Sequence, residues 1–332
     1  MSRVLTVNIV GSDNGAGLSR DARLLCDTLR IAGVRVKWSK RYTPREAMTL
    51  LQRGGALEWW LPRFDVNVFL ERFHPAWFPF ARQNVLIPNP EWFMEEQLAQ
   101  LSGIDVVFCK TQHAVGVFNG LGKTTRWVGF TSSDHFNGIL AASQPVRALH
   151  LAGRSIDKGT DLVVAAWRLH PEWPALTVVQ RPHVGKFKLD ITPAPNIRFL
   201  THRLEDEQIL ALQRGHALHV LPSEVEGYGQ TIVEAMGVGA VVVTTNAPPM
   251  NELVTRERGV LVAVGPGTPT RLGVRVQADM SALEAAIAQA LAWPAEVRTV
   301  VGMAAREWFT QNDARFRSEF VQAVNALDGQ DV

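Results

Sequence analysis

Short apolar runs rich in β-branched residues alternate along this chain with segments of helical periodicity. In the first half, strands are predicted at 4–10, 34–38, 66–70, 84–87 and 105–109. A glycine-rich loop, Gly11 to Gly17, follows the first strand and leads into a helix. Alternation of this kind is typical of parallel βαβ units.

The same alternation starts again near residue 146. Strands are predicted at 146–152, 176–180, 197–200, 217–221, 240–244 and 259–264, and helices at 160–169, 205–214, 230–236 and 281–293. Residues 137–145 are small and polar, as in a domain boundary, and 304–327 has the pattern of a last helix. The patterns predict α/β domains at 1–142 and 143–305 with Rossmann-like parallel sheets that face a cleft, and a C-terminal segment at 306–332.

Composition excludes several classes of protein. A length of 332 residues suits two domains, and 46% hydrophobic with 20% charged residues describes a soluble globular chain. The net charge of +2 and scattered basic residues give no field for nucleic acid. The 2 cysteines have no metal-binding spacing, and no apolar run has the roughly 20 residues of a membrane helix. We therefore expect a cytoplasmic protein.

Paired acids stand in the segment that follows the predicted strand 217–221. Glu226 and Glu234 flank a turn with Gly227 and Gly229, and a helix begins after the turn. Backbone N–H groups at such a turn can bind phosphate, and the acids can accept hydrogen bonds from sugar hydroxyls. The alternative is that Glu226 is an ordinary turn residue and Glu234 a solvated helix acid.

Two basic residues follow the predicted strand 146–152. Arg154 and Lys158 lie at a helix start, where a cation is unfavourable unless an anion binds there, so we expect both to reach one diphosphate. The alternative is two solvated side chains.

The glycine loop of the first half gives a weaker signal. It is not G-x-G-x-x-G, and Arg35 and Lys37 stand where a dinucleotide site needs an acid, which argues against a nicotinamide enzyme. A phosphate or sugar site and a plain tight turn both remain open.

His74 follows a predicted strand of the first half. It can contact a sugar hydroxyl or accept a proton, although most lone histidines have structural roles. Aromatic stretches at Trp59-Trp60 and Trp77 to Phe80 are typical of a core. If exposed, they would bind a glycan face or make peripheral membrane contact.

The motifs resemble those of a known family. Glu226-Gly227-Tyr228-Gly229 with Glu234 resembles the E-x7-E signature of retaining glycosyltransferases of GT-B architecture, family 4 (glycosyl transferases group 1) type. The segment from Gly153-Arg154 to Lys158-Gly159 is similar to that family's G-R-x3-K-G. The resemblance covers about residues 150–265. Tyr228 stands where Phe is usual, and Gln230-Thr231 replaces an apolar-Pro pair, which bears on the choice of sugar.

The resemblance implies a role for each matching residue. Arg154 and Lys158 would bind the donor diphosphate, and Glu234 the ribose hydroxyls. Glu226 and the backbone around the turn would hold the donor sugar and distal phosphate. The implied donor-binding residues are Gly15, Gly17, Arg154, Lys158, Thr201, Arg203, Glu226, Gly227, Tyr228, Gly229, Gln230, Thr231 and Glu234. The final helix would cross back to the first domain.

The implied reaction transfers a hexosyl group from a nucleoside diphosphate sugar to a hydroxyl of a glycan, lipid-linked or small-molecule acceptor. Configuration is retained, and neither a metal ion nor another cofactor takes part. The alternatives are a catalytically silent nucleotide-sugar-binding protein and a GT-B epimerase or phosphorylase.

Overall fold

A computed structural model describes residues 4–15, 17–40, 63–181 and 190–327. The predicted Trp59-Trp60 stretch lies outside the described residues. The chain divides into two compact units, one formed by residues 1–130 with 313–332 and the other by 131–312.

The first unit contains a six-stranded parallel sheet. Its strands are β1 (Thr6–Val10), β2 (Arg35–Ser39), β3 (Phe64–Leu70), β4 (Ala81–Ile87), β5 (Val106–Cys109) and β6 (Thr125–Trp127). They are ordered β2-β1-β3-β4-β5-β6 and are parallel at every pairing. Its described α-helices are α1 (Gly17–Ile31), α2 (Glu95–Leu98) and α3 (Gln112–Gly120).

Buried apolar residues on both faces of this sheet account for its strands. Val7, Ile9 and Val10 of β1 are fully buried, which suits a parallel strand covered on both faces. Trp77 and Phe80, predicted from sequence to belong to a core, are also buried. They lie in a short 3-10 segment, Pro75–Phe80, that the sequence pattern did not predict.

The second unit contains the second six-stranded parallel sheet. Its strands are β7 (Ala148–Gly153), β8 (Leu176–Gln180), β9 (Ile197–Leu200), β10 (Leu218–Leu221), β11 (Val241–Thr245) and β12 (Val260–Val262). The order is β12-β11-β10-β7-β8-β9, so the direction of strand succession reverses between β7 and β10. The two sheets confirm the predicted α/β class.

Helices join these strands, and most of them lie where the sequence predicts. They are α4 (Thr160–Leu169), α5 (Asp206–Gly215), α6 (Gln230–Gly237), α8 (Met280–Ala292) and, unpredicted and short, α7 (Met250–Leu253). The fully buried Trp167 of α4 belongs to the same apolar cluster as Leu283 and Ile287 of α8. An antiparallel hairpin, β13 (Thr268–Thr270) and β14 (Gly273–Arg275), stands between β12 and α8 and was not predicted.

A last helix, α9 (Ala295–Asn325), belongs to both units. Its residues up to Asn312 lie in the second unit and the rest in the first. In the first unit, Phe316 packs on Phe130 with ring centroids 5.1 Å apart, and Phe320 on Phe108 at 6.4 Å. The predicted crossing of the final helix is therefore confirmed, although the helix starts directly after Pro294 instead of near 304.

The units divide at residue 130, before the boundary predicted at 142. Contacts of the intervening segment explain the difference. The backbone N–H of Ala141 donates to the carbonyl of Val238 at 2.9 Å, and Asp134 pairs with Arg306 of α9 at 2.6 Å. These bonds hold residues 131–142, and the part of α9 around Arg306, in the second unit.

Candidate functional site

The loops that follow β7 and β10 lie side by side, because these strands pair in the second sheet. They flank the position where the strand order reverses. In open parallel sheets, ligands bind at this position, outside the carboxyl ends of the strands. The loop after β7 holds Arg154 and Lys158, and the loop after β10 holds Glu226.

Lys158 and Glu226 form the centre of the site. Nζ of Lys158 donates to Oε1 of Glu226, and it lies 3.5 Å from the hydroxyl of Thr231 at the start of α6. Ser223 donates to the same carboxylate oxygen at 2.7 Å. The side chains of Lys158 and Glu226 are only 11% and 12% exposed, so their charges interact with little screening by water.

Gly159 permits the close approach of the two loops. Its φ is +65°, and a Cβ there would lie 2.5 Å from the carbonyl oxygen of Pro222.

Thr160, the next residue, forms a hydrogen bond with the buried His150 of β7, whose Nε2 is 2.9 Å from the threonine hydroxyl. His150 Nδ1 lies 2.7 Å from the carbonyl of Val220, so Nδ1 carries the proton and Nε2 accepts. Burial lowers the pKa of His150 to about 4, which keeps the imidazole neutral.

The turn before α6 also depends on a glycine. Gly229 has φ +102° as the N-cap of α6, and a Cβ would meet Leu253 at 2.9 Å. The neighbouring Tyr228 is buried, and its hydroxyl accepts a hydrogen bond from Asn312 at 3.2 Å. The turn therefore aims the N-terminus of α6, with its positive dipole end, beside Lys158 and Glu226.

Glu234 does not join this pair. The carboxylate accepts from the hydroxyl of Ser132 at 3.1 Å and from the amide of Gln213 at 2.8 Å. Glu234 is buried, so the alternative of a solvated helix acid is wrong. Sequence reasoning missed Ser132 and Gln213, since neither belongs to a motif and Ser132 is 102 residues away.

The other predicted donor residues of this unit lie in the loops after β7, β10 and β9. Arg154 is exposed, and nowhere in the described part of the chain does an acid form an ion pair with it. Gly227 is buried within the turn. Thr201 and Arg203 follow β9, which is separated from β7 by β8.

One residue outside all predicted motifs reaches both loops. Arg275 of β14 donates to Oε2 of Glu224 at 2.6 Å, and the same nitrogen lies 2.7 Å from Oδ1 of Asp157. The second contact is an ion pair without the alignment of a hydrogen bond. No sequence signal marked Arg275, because its partners are distant in sequence and the hairpin is short.

Gly15, Gly17 and His74 lie in the first unit. Gly15 has φ +64°, and its N–H donates to the hydroxyl of Ser19, which in turn donates to Asp13 at 2.7 Å. Gly17 is the first residue of α1. His74 caps the Pro75–Phe80 segment, with Nδ1 accepting from the N–H of Ala76 at 3.2 Å. That contact is a structural role.

A buried polar cluster lies at the carboxyl edge of the first sheet. Lys110, directly after β5, is 3.2 Å from Asp21 and 3.1 Å from Asn89. Asn89 donates to Glu71 at 2.7 Å, and Glu71 has the rare φ of +61° for a residue other than glycine. Burial raises the pKa of the Glu71 carboxyl.

Two kinds of feature are absent from the described ranges. No three side chains of His, Cys, Asp or Glu gather there in an arrangement that would hold a metal ion. None of the described helices combines the length and apolar character required to cross a bilayer.

The second unit matches a known protein family. Residues 148–292 match the family model of glycosyl transferases group 1. Over 145 residues, the chain is 36% identical to a lipopolysaccharide core biosynthesis mannosyltransferase, LpcC, of Rhizobium leguminosarum bv. viciae. That match covers 40% of this chain and 41% of the relative, so it spans well under half of either protein.

Solved structures resemble the whole chain. Sucrose-phosphate synthase from Thermosynechococcus elongatus has a TM-score of 0.72 at 15% identity, covering 98% of this chain and 99% of the other. A glycosyltransferase from Rickettsia africae ESF-5 has a TM-score of 0.72 at 13% identity, with coverage of 99% and 100%. Anabaena HepE, in complex with UDP and glucose, has a TM-score of 0.65 at 14% identity, with coverage of 97% and 100%.

At these identities the structural likeness establishes the fold, which is that of GT-B glycosyltransferases. The family match covers the unit that carries Lys158, Glu226 and Glu234. Residues 148–292 therefore match the glycosyl transferases group 1 and carry the signature residues, and the chain as a whole has the fold of GT-B glycosyltransferases.

Proposed function

We propose that the chain is a retaining hexosyltransferase that uses a nucleoside diphosphate sugar as donor. The observation that carries this proposal is the meeting of Lys158, Glu226 and the N-terminus of α6 where the strand order reverses. The similar structure named as a complex with UDP and glucose, and the relative named as a mannosyltransferase, support a nucleotide-linked hexose.

In this proposal the diphosphate binds to the cations after β7. Lys158 supplies a point charge, and the exposed Arg154 supplies a planar fork of donors that suits phosphate oxygens. The dipole of α6 and the N–H groups of Gln230 and Thr231 add to the positive potential. These groups stabilise the negative charge that grows on the departing phosphate, which is the main requirement of the reaction.

The two signature acids have separate tasks. Glu226 holds hydroxyl groups of the transferred sugar, together with the turn of Gly227, Tyr228 and Gly229. Glu234 holds the ribose hydroxyls through lone pairs that Ser132 and Gln213 leave unused, because each carboxylate oxygen accepts two hydrogen bonds. Thr201 and Arg203 flank the base of the nucleotide.

The donor-binding roles of Gly15 and Gly17, and a role of His74 in catalysis, stay predictions from the sequence.

The proposed step is a front-face substitution. The bond between the anomeric carbon and the phosphate oxygen breaks while the acceptor oxygen bonds to the same face of that carbon. The acceptor proton passes to the departing phosphate oxygen, so no side chain forms a covalent intermediate. Lys158 and Arg154 take the place of a metal ion in stabilising charge, and no cofactor besides the donor substrate is required.

The acceptor is a hydroxyl of a glycan, a lipid-linked sugar or a small molecule, in polysaccharide or glycoconjugate biosynthesis. Action in the cytoplasm, with peripheral attachment to a membrane, also belongs to this proposal.

A donor screen followed by product analysis tests the function. UDP, GDP, UDP-glucose and GDP-mannose are each titrated against the chain in a thermal-unfolding assay, since a ligand that binds the folded state raises Tm. The donor that binds is then incubated with candidate acceptors in excess chelator, and the anomeric configuration is determined by NMR. Retained configuration with full activity in chelator is expected. Binding without transfer would favour a silent nucleotide-sugar-binding protein, and an inverted product would refute retention.

A further inference from the structure

The hairpin of β13 and β14 lies above the carboxyl edge of the second sheet. It follows β12, the edge strand, and β11 and β10 stand between β12 and β7. A bridge between Val264 and Ala278 closes its base. Neighbouring strands are about 4.8 Å apart, so a contact from this hairpin to the loop after β7 crosses roughly 14 Å of sheet edge.

Two hydrogen bonds and one ion pair connect the hairpin and the residue after it to the loops after β7 and β10. Arg275 donates to the Glu224 carboxylate at 2.6 Å and is 2.7 Å from the Asp157 carboxylate. The N–H of Val276 donates to the carbonyl of Glu224 at 2.9 Å. Glu224 in turn donates its own N–H to the carbonyl of Asp157 at 2.9 Å. Glu224 is therefore held at its N–H, its carbonyl and its side chain.

The two acids that Arg275 contacts are close in sequence to Lys158 and Glu226. Asp157 directly precedes Lys158, and Glu224 stands two positions before Glu226. Asp157 is buried and the Glu224 side chain is 20% exposed. An arginine that joins two such carboxylates gains charge-assisted hydrogen bonding at a site only partly open to water. It also cancels repulsion between two acids whose loops must approach each other.

We propose that Arg275 is a positioning residue that holds the Lys158 loop against the Glu226 loop, so that both charges are placed for the donor. This inference rests on the proposed function. Arg275 touches neither the diphosphate nor the sugar; it acts through Asp157 and Glu224. One guanidinium nitrogen serves both carboxylates, so a lysine, whose ammonium is a mobile point charge without the rigid planar group that fixes this nitrogen, restores only part of the arrangement.

The test combines two measurements on Arg275→Met, Arg275→Lys and the control Arg256→Ala, an exposed arginine of the same unit. Hydrogen exchange first follows the amides of 154–159 and 223–229 without any ligand. Arg275→Met is expected to raise exchange in both loops while the strands keep their protection, and Arg256→Ala is expected to change neither. Unchanged exchange in Arg275→Met would overturn the inference, whatever the chain binds.

The second measurement is the dissociation constant for UDP-glucose or GDP-mannose, whichever binds the native chain. Arg275→Met is expected to weaken binding about tenfold, since loops that must be ordered on binding reduce affinity, with partial rescue in Arg275→Lys. In the Lys158→Met background, Arg275→Met is expected to weaken binding less than it does in the native chain, because the placement of Lys158 no longer contributes to affinity. Additive losses, or native affinity in Arg275→Met, would overturn the positioning role.

The two proposals fail in different ways. If the native chain binds none of the nucleotides or nucleotide sugars, the proposed function is wrong and the positioning role for a donor falls with it. If the native chain binds a donor and Lys158→Met weakens that binding, while Arg275→Met binds as tightly as the native chain, only the inference about Arg275 is wrong.

Discussion

Lys158 donates to the same carboxylate oxygen of Glu226 that accepts a hydrogen bond from Ser223. The lysine follows β7 and the glutamate follows β10, so the pair joins the two loops of the candidate site. An ammonium group has three donors and Glu226 uses one of them in this contact. A bound diphosphate would share Lys158 with Glu226 or replace Glu226 as its partner. Substitution of the lysine and substitution of the glutamate should therefore have different effects on ligand binding.

Removing the charge of Lys158 is expected to slow transfer strongly. Lys158→Met keeps the aliphatic stem but deletes the group that stabilises the departing phosphate. Loss of one such donor costs about 100- to 1000-fold in turnover, so a fall of that size is expected. Steady-state rates with the identified donor measure it, and Lys123→Ala, a lysine of the first unit, serves as the control. Native rates in Lys158→Met would remove this residue from the mechanism.

Neutralising Glu226 is expected to have opposite effects on two ligands. Glu226→Gln removes a negative charge beside Lys158, so the bare nucleoside diphosphate should bind as tightly as before or severalfold more tightly. Turnover of the nucleotide sugar should fall, because the amide is a poorer acceptor for the sugar hydroxyls. Titration calorimetry with UDP and GDP, beside rate measurements, separates the two effects. A parallel loss of both would mean that Glu226 supports the fold of the loop and not the sugar.

The close approach at Gly159 predicts a loss of stability on adding one methyl group. Gly159→Ala places a Cβ at φ +65° and 2.5 Å from the Pro222 oxygen. Gly122 is a matched control, since it has φ +72° but no atom within 4 Å of the added Cβ. Left-handed backbone alone costs about 1 kcal/mol, so Gly122→Ala should lose that much and Gly159→Ala about 3 kcal/mol. Urea unfolding measures both, and equal losses would show that the contact with Pro222 relaxes freely.

Much of the second unit could be predicted from sequence, because its signals are local. Strand β8, strand β9 and helix α4 have the predicted bounds, since each is a continuous apolar run or a helical period between turn residues. The motifs also placed Lys158 and Glu226 on loops after predicted strands, and the structure shows that these strands pair.

What escaped prediction depends on contacts between distant residues. The partners of Glu234, and Arg275 itself, belong to no motif, and no periodicity in the sequence brings these contacts together. Strand β13 has three residues with a central proline, which is weak evidence for any strand. In the first unit, the sequence predicted glycine and histidine residues as candidates for the functional site. The buried cluster around Lys110 joins residues that are distant in sequence, so it could be found only from the fold.

The ribose role of Glu234 predicts a loss of discrimination between nucleotides. The native chain should bind the ribonucleoside diphosphate more tightly than its 2′-deoxy analogue, and Glu234→Ala should bind both alike. Glu234→Ala also leaves Ser132 and Gln213 without their acceptor, so it should lose about 1–3 kcal/mol of stability. Ser132→Ala is the control, because it removes one of these bonds but keeps the carboxylate. If Glu234→Ala still discriminates, its carboxylate has a structural role only.

Two buried histidines predict that the second unit loses stability in mild acid. Burial lowers the pKa of His150 to about 4 and that of His219 to about 3, from an ordinary value of 6.5. The unfolded chain therefore binds protons at a higher pH than the folded chain does. The stability that the two neutral histidines contribute is fully present only above pH 6.5. It falls as the pH drops from 6.5 toward 4, by about 1.4 kcal/mol per pH unit for each histidine.

His219→Gln is the variant that tests this origin of the pH dependence. Glutamine cannot titrate, and its amide can donate to the carbonyl of Gln213, which lies 3.0 Å from His219 Nε2. Urea unfolding of the native chain and the variant is compared between pH 7 and pH 4.5. The variant should start less stable at pH 7 and lose stability less steeply, so that the two curves converge in acid. Parallel curves would mean that other groups take up the protons, since removal of a titrating histidine must change the slope.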